Sequence, residues 1–243
     1  MKLCILSACY DQPCRAAILT ESCARIQLPL LMCQAKEWEG SWRVPGDYRT
    51  GKLQAAYETL LEVRKQYDYA MWVDGFDAFI QLKYHTVGPS LLSCGIRFIR
   101  STSEIIEHAW ELLQCPPLVL SAEKNCYPYP NWSESFLKVE GPYRFPCAGA
   151  WMGQAGYLID TIRAMLDCAG GGERNDQALW QRAFMTRELP GAVIDSQRLI
   201  FQNMYDVPDF EATEAPVVHY NGEASWGKST RYQEHWKRIR DRK

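Results

Sequence analysis

"MWVDGFDAFI", residues 71 to 80, ends an apolar run on two carboxylates, Asp74 and Asp77, with Gly75 and Phe76 between them. The run reads as a buried strand. Asp and Gly are turn formers, so the acids have a plain reading as the turn that stops the strand. The other reading is chemical. Two hard oxygen ligands at i and i+3 around a turn can face one point, and they suit Mg²⁺ or Mn²⁺ better than zinc, beside a bound phosphate. A D-x-x-D pattern is common by chance, so the rest of the chain has to choose between the two.

Working outward, further strand-like runs occur at "KLCILSA" (2 to 8), "LPLLMCQA" (28 to 35), "PLVLSAE" (117 to 123), "GAWMG" (149 to 153), "VID" (193 to 195) and "PVVHYNG" (216 to 222). Between them lie helical patterns. The clearest spans 51 to 66, where Leu53, Tyr57, Leu60, Leu61 and Arg64 follow the 3.6 period, and others fall near 101 to 114, 154 to 168 and 176 to 187. Strands alternating with helices predict an α/β fold: a Rossmann-like, mixed but mostly parallel sheet flanked by helices. Ligands of such sheets bind outside the carboxyl ends of the strands, which is where Asp74 sits. The polar loop at 36 to 50 holds Trp38, Trp42 and Tyr48, which suit either a lid over a flat ligand or local packing.

With 243 residues and 47% hydrophobic content, the chain can bury one full core. The formal charge of -2 is uneven: residues 228 to 243 carry seven basic and two acidic residues, leaving 20 basic and 27 acidic residues in 1 to 227. The expected organisation is a domain over 1 to 227 and a basic tail over 228 to 243, read as a solvated helix in preference to a polyanion-binding tail. Ten cysteines are scattered through apolar segments without C-x-x-C pairs, which reads as buried thiols in a reducing compartment. "MKLCILSAC" reads as a first core strand in preference to a signal peptide, and no apolar run of about 18 residues spans a membrane. A cytoplasmic location is expected.

His219 closes the apolar run of "VVHYNG" before an N-G turn. A lone histidine is most often a core residue, but an imidazole beside two carboxylates favours Mn²⁺ over Mg²⁺. With this residue six ordered segments are in place: "WVDGFDAFI", "LVLSAEKNCYPYP", "FPCAGAWMG", "ERNDQALW", "IFQNM" and "VVHYNG". Together they resemble the glycosyltransferase domain of the procollagen-lysine hydroxylase and glycosyltransferase family, a nucleotide-sugar transferase of the type A fold. The resemblance implies that Asp74, Asp77 and His219 bind Mn²⁺, with Mg²⁺ as the alternative, and that the ion bridges the diphosphate of a UDP-sugar and stabilises the leaving group. It also implies that Phe76 stacks on uracil and that Lys52 lies near the sugar and phosphates. Ala8, Tyr10 and Gly222 would join Asp74 and Lys52 in holding the nucleotide, with Lys228 within reach of the diphosphate. Asp176 and Gln177 join Lys52 as the implied catalytic residues.

Three positions depart from the family pattern: Tyr127 replaces a tryptophan, Cys147 an asparagine and Asn175 one carboxylate of an acidic pair. Losing an amide and a carboxylate changes how sugar hydroxyls are recognised. The expected activity is Mn²⁺-dependent transfer of a hexose, glucose or galactose, from a UDP-sugar to a hydroxyl of a hydroxylysine-like protein acceptor or a glycan. The alternatives are a glucosyltransferase acting on hydroxymethylated DNA bases such as 5-hydroxymethylcytosine, where the basic tail and Trp236 would meet phosphates, and a non-catalytic nucleotide-sugar binder. A metal-dependent phosphohydrolase finds no His-rich spacing here.

Overall fold

The computed structural model describes residues 1–8, 16–34, 50–81, 101–169, 175–205, 207, 214–221 and 231–241. In chain order these form β1 (Leu3–Ala8), α1 (Ala17–Arg25), β2 (Leu30–Cys33), α2 (Thr50–Val63), β3 (Tyr69–Val73), β4 (Ala78–Ile80), α3 (Thr102–Leu112) and β5 (Leu118–Glu123). A 3₁₀ helix (Pro130–Phe136) follows, then β6 (Phe145–Gln154), α4 (Ala155–Ala169), α5 (Asp176–Met185), β7 (Val193–Ile194), β8 (Phe201–Asn203), β9 (Val217–His219) and α6 (Arg231–Asp241).

Six strands make the main sheet in the order β2-β1-β3-β6-β5-β7. β1 runs parallel to β2 and β3, and β5 to β7, whereas β6 is antiparallel to both its neighbours. The expected mixed, mostly parallel sheet flanked by helices is therefore observed. Its strands are near-continuous apolar runs because both faces are covered. Side chains alternate accordingly. Cys4, Leu6, Ala8 and Trp72 join one core layer with Leu53 and Leu60 of α2, Leu158 and Ile162 of α4, and Trp180 of α5. Leu3, Ile5, Met71 and Val73 join the other with Leu19 of α1 and Ile106 and Trp110 of α3.

A second sheet, β4-β9-β8, stands beyond the carboxyl end of β3, with β4 antiparallel and β8 parallel to β9. Strand β3 makes its last ladder contact when the Asp74 N–H donates to the Gly149 carbonyl at 2.8 Å. The chain then turns through Gly75 and Phe76 and enters the small sheet at Ala78. Asp74 and Asp77 thus sit on the two sides of a step between sheets.

Several expectations need correction. The strand over 149 to 153 is really Phe145–Gln154, paired to β5 with a register shift opposite Leu120/Ser121. Helix α1 and strands β4 and β8 lack the periodic signal that would announce them. The end of the chain is not a solvated helix on all sides: in α6, Trp236 is 3% and His235 4% exposed. With its indole in the core, Trp236 does not meet phosphates. Among the described cysteines all are free, five of them buried, with Cys115 and Cys168 exposed. Burial pushes the Cys4 and Cys23 thiols up to about 12, so they are inert side chains of the core.

Candidate active site

Asp74, Asp77 and His219 each offer a ligand atom, all within 4.8 Å of one another. The His219 Nε2 lies 3.3 Å from Asp77 Oδ1 and 4.0 Å from Asp74 Oδ2. The register Ala78↔His219 brings the imidazole beside Asp77, and the Tyr220 N–H donates to the Asp77 carbonyl at 2.7 Å. On the far side of the ring, Nδ1 is 2.7 Å from Asn203 Oδ1, while Asn203 Nδ2 donates to the Ala122 carbonyl at 2.6 Å. A carbonyl only accepts, so the Asn203 amide is oriented with its oxygen toward the ring, and Nδ1 carries a proton. Nε2 is thereby aimed at the acids. Burial alone would lower the imidazole pKa, yet the charge and hydrogen bond of Asp77, with Cys147 behind them, together hold His219 well above its ordinary value. These three side chains form a group that could hold a metal ion.

Gly149 makes room for the ring. A Cβ built there would lie 2.0 Å from His219 Cε1, so no side chain is compatible with this imidazole position. Two carboxylate donors, an imidazole with a fixed tautomer and a glycine cradle fit a divalent ion with oxygen and nitrogen ligands.

Lys52 links this group to α5. Its Nζ is 3.1 and 3.3 Å from the two Asp74 oxygens and 2.9 Å from Asp176 Oδ2. A cation in the first turn of a helix is disfavoured by the helix dipole, so its two carboxylate partners hold it there. Trp72 Nε1 adds a third bond to Asp74 Oδ1 at 3.0 Å. Next to Asp176, the Gln177 Nε2 donates to Glu123 Oε1 and, at 2.9 Å, to the Tyr127 carbonyl. Asn221 Nδ2 reaches Glu123 Oε2 at 2.7 Å. Burial pushes the Glu123 carboxyl up to about 7, against the pull of these amide donors and of His219.

The structure thus brings together Asp74, Asp77, His219, Lys52, Asp176 and Gln177. Ala8 lies buried at the end of β1, and Phe76 is half-buried in the turn between the acids. Tyr10, Gly222, Lys228 and the aromatic loop with Trp38, Trp42 and Tyr48 lie outside the described residues. Sequence patterns assign no role to Glu123, although it ends an apolar strand just as Asp74 nearly does. Asn203 and Gly149 lie within the segments "IFQNM" and "FPCAGAWMG", but the sequence gives neither a role, because their partner His219 is set by the fold.

A family model for the PLOD GT domain matches residues 93–224, more than half of the 243-residue chain. The chain belongs to the PLOD GT domain family. It is a glycosyltransferase by that membership. Among solved structures, it is similar to a glycosyltransferase involved in the glycosylation of the major capsid of PBCV-1, at 11% identity over 99% of both chains and a TM-score of 0.55. It is also similar to the galactosyltransferase LgtC in complex with donor and acceptor sugar analogs, at 12% identity over 97% of this chain and 95% of that one, with a TM-score of 0.50. At these identities the likeness shows the fold, which is the glycosyltransferase type A fold. A comparison with curated proteins finds no match.

Against the PLOD GT pattern, the three departures have different weights. The Asn175 Oδ1 accepts from the Gln177 and Ala178 N–H groups and caps α5, a task that asparagine performs as well as aspartate. Cys147 is buried with Sγ 3.9 Å from His219 Nδ1, and burial raises its thiol pKa, so it packs against the imidazole as a neutral group. Tyr127 is 49% exposed, and its carbonyl accepts from Gln177 beside the site.

Proposed function

We propose that this PLOD GT domain is a divalent-metal-dependent hexosyltransferase that moves glucose or galactose from a UDP-sugar to a hydroxyl of a hydroxylysine-like or glycan acceptor. The observation that carries the reading is the Asp74, Asp77 and His219 cluster joined through Lys52 to Asp176. A bound Mn²⁺ or Mg²⁺ would supply charge stabilisation for a departing diphosphate. The chain's own residues supply the rest. Lys52 puts a positive charge beside the cluster, where phosphate oxygens gather charge as the sugar bond breaks. Asp176, pinned by Lys52, offers a fixed acceptor to sugar hydroxyls. Both Gln177 amide hydrogens are committed to Glu123 and to the Tyr127 carbonyl, so its contact with a hydroxyl runs through its own carbonyl as acceptor. Glu123 holds the Gln177 and Asn221 amides in place. Phe76, in the turn between the two acids, is proposed to stack on uracil.

Among the described residues no helix is long and apolar enough to cross a membrane. A cytoplasmic location is part of the proposal, supported by the free thiols. For a DNA acceptor, the burial of Trp236 removes one of the contacts on which that reading rested.

The test is incubation with UDP-glucose and UDP-galactose plus Mn²⁺, reading transfer to hydroxylysine peptides and glycans and donor hydrolysis by mass spectrometry. Loss of both in chelator and in Asp77→Ala supports the reading. Tight UDP-sugar binding without hydrolysis or transfer to any acceptor would make the protein a nucleotide-sugar binder.

A further inference from the structure

Strands β4, β8 and β9 are three residues each. A sheet of that size does not hold its register alone and depends on what covers it. Ala78, Ile80, Phe201 and Val217 face the main sheet and helices α1 and α3. Phe79, Met204, Val218 and Tyr220 point the other way, and most of their cover is α6, through Trp236 with Tyr232 and Ile239, beside Ile18 of α1 and Val207. The His235 Nδ1 is 2.8 Å from the Tyr220 hydroxyl, and its ring meets Phe79 edge-on at 5.2 Å between centroids. Trp236 lies 5.5 Å from the same Phe79 ring. One turn of α6 therefore touches both strands that carry the Asp77 and His219 side of the site. Tyr220 directly follows His219, and its N–H holds the Asp77 carbonyl.

The helix is itself anchored. Trp236 Nε1 donates to Glu21 Oε2 at 3.3 Å, and the Arg25 guanidinium reaches the Arg240 carbonyl at 3.2 and 3.3 Å. Arg25 also lies over the Trp236 ring at 5.7 Å.

Of the three cluster residues, His219 lies in this small sheet and Asp77 directly precedes its strand β4, tied to it by the Tyr220 N–H, whereas Asp74 is fixed at the end of the main sheet. The distance between the two sets depends on how the small sheet is docked. We propose that α6 is a clasp that docks the small sheet against the main one, and that His235 and Trp236 are positioning residues for the cation site. The clasp rests on the Asp74, Asp77 and His219 reading. It replaces the solvated tail with a structural reason for the burial of this end of the chain: metal ligands tolerate shifts of only about 0.2 Å, and a three-residue sheet with an uncovered face would drift further.

The experiment measures Mn²⁺ affinity by calorimetric titration of the full chain, with no activity readout, in wild type, Trp236→Ala, His235→Phe, His235→Gln and Lys237→Ala. His235→Phe keeps a ring against Phe79 and removes only the bond to Tyr220, so it remains informative if Trp236→Ala fails to fold. Trp236→Ala and His235→Phe are expected to weaken Mn²⁺ binding by ~10-fold or more, the size seen when groups behind a ligand are lost. His235→Gln, which can again bond the Tyr220 hydroxyl, should recover affinity, and Lys237→Ala on the exposed face should match wild type. Wild-type affinity in folded Trp236→Ala and His235→Phe, with only a lower melting temperature, would overturn the clasp while leaving the cation site standing. A wild-type chain that binds no Mn²⁺ would overturn both.

Discussion

Replacing Gly149 with alanine is the sharpest probe of the site, because it adds one methyl group at a point where the geometry leaves no room. The new Cβ would lie 2.0 Å from His219 Cε1 and 2.6 Å from Nε2, whereas ordinary contact begins near 3.4 Å. The ring or the strand must give by about 1.4 Å, the gap between 2.0 and 3.4 Å. Retreat of the ring breaks its 2.7 Å bond to Asn203. Movement of β6 instead pulls on the Gly149 carbonyl, which holds the Asp74 N–H at 2.8 Å. Either way a ligand moves several times further than the roughly 0.2 Å a metal site tolerates. Mn²⁺ affinity should fall by ~10-fold or more, about 1.4 kcal/mol or greater. Overpacking costs about 1–3 kcal/mol in stability, which for a chain of this size lowers the melting temperature by roughly 2–12 °C. Calorimetric titration with Mn²⁺, beside circular dichroism to follow the fold, measures both. A Gly149→Ala protein that binds Mn²⁺ as tightly as wild type would refute the reasoning.

Removing the Asn203 amide with Asn203→Leu frees the His219 ring and strands the Ala122 carbonyl; Mn²⁺ affinity should drop about 10- to 100-fold and stability by about 1–3 kcal/mol, read by titration and thermal melts. Lys52→Met leaves Asp176 buried without its cation, so it should lower both stability and donor hydrolysis, and the double change with Asp176→Asn should recover the melting temperature but not the hydrolysis. If hydrolysis returns as well, Lys52 is structural. For Glu123, the unfolded carboxyl loses its proton near 4.5 and the folded one holds it to about 7. The folded state binds more protons across that window, so this group's contribution to stability declines as pH rises from about 4.5 to 7. Melting temperatures of wild type and Glu123→Gln in chelator should therefore diverge over that range, and parallel curves would show that Glu123 does not carry the effect.

The long apolar runs and the helix at 51 to 66 were legible as a mixed, mostly parallel sheet because burial on both faces leaves a signal in every residue of a strand. Asp74 and Asp77 stood out for the same reason, as charges interrupting such a run, and six motifs in order were enough to mark the family. Other features left no such trace. The strands β4 and β8 are too short for any period to show, and α6 looked solvated because its Arg and Lys residues outnumber the few that face the core. Asn175 reads in sequence as a lost carboxylate, and only its place at the start of α5 turns it into a cap. Gly149 and Asn203 sit inside two of those motifs, but what either does is not written there until the chain folds. What makes them part of the site is the register of β9 against β4 and β8, which places His219 against residues 70 and 16 positions earlier in the chain. Strand register between distant segments is set by the packing of the whole molecule, and no local pattern encodes which side chain an imidazole will meet across it.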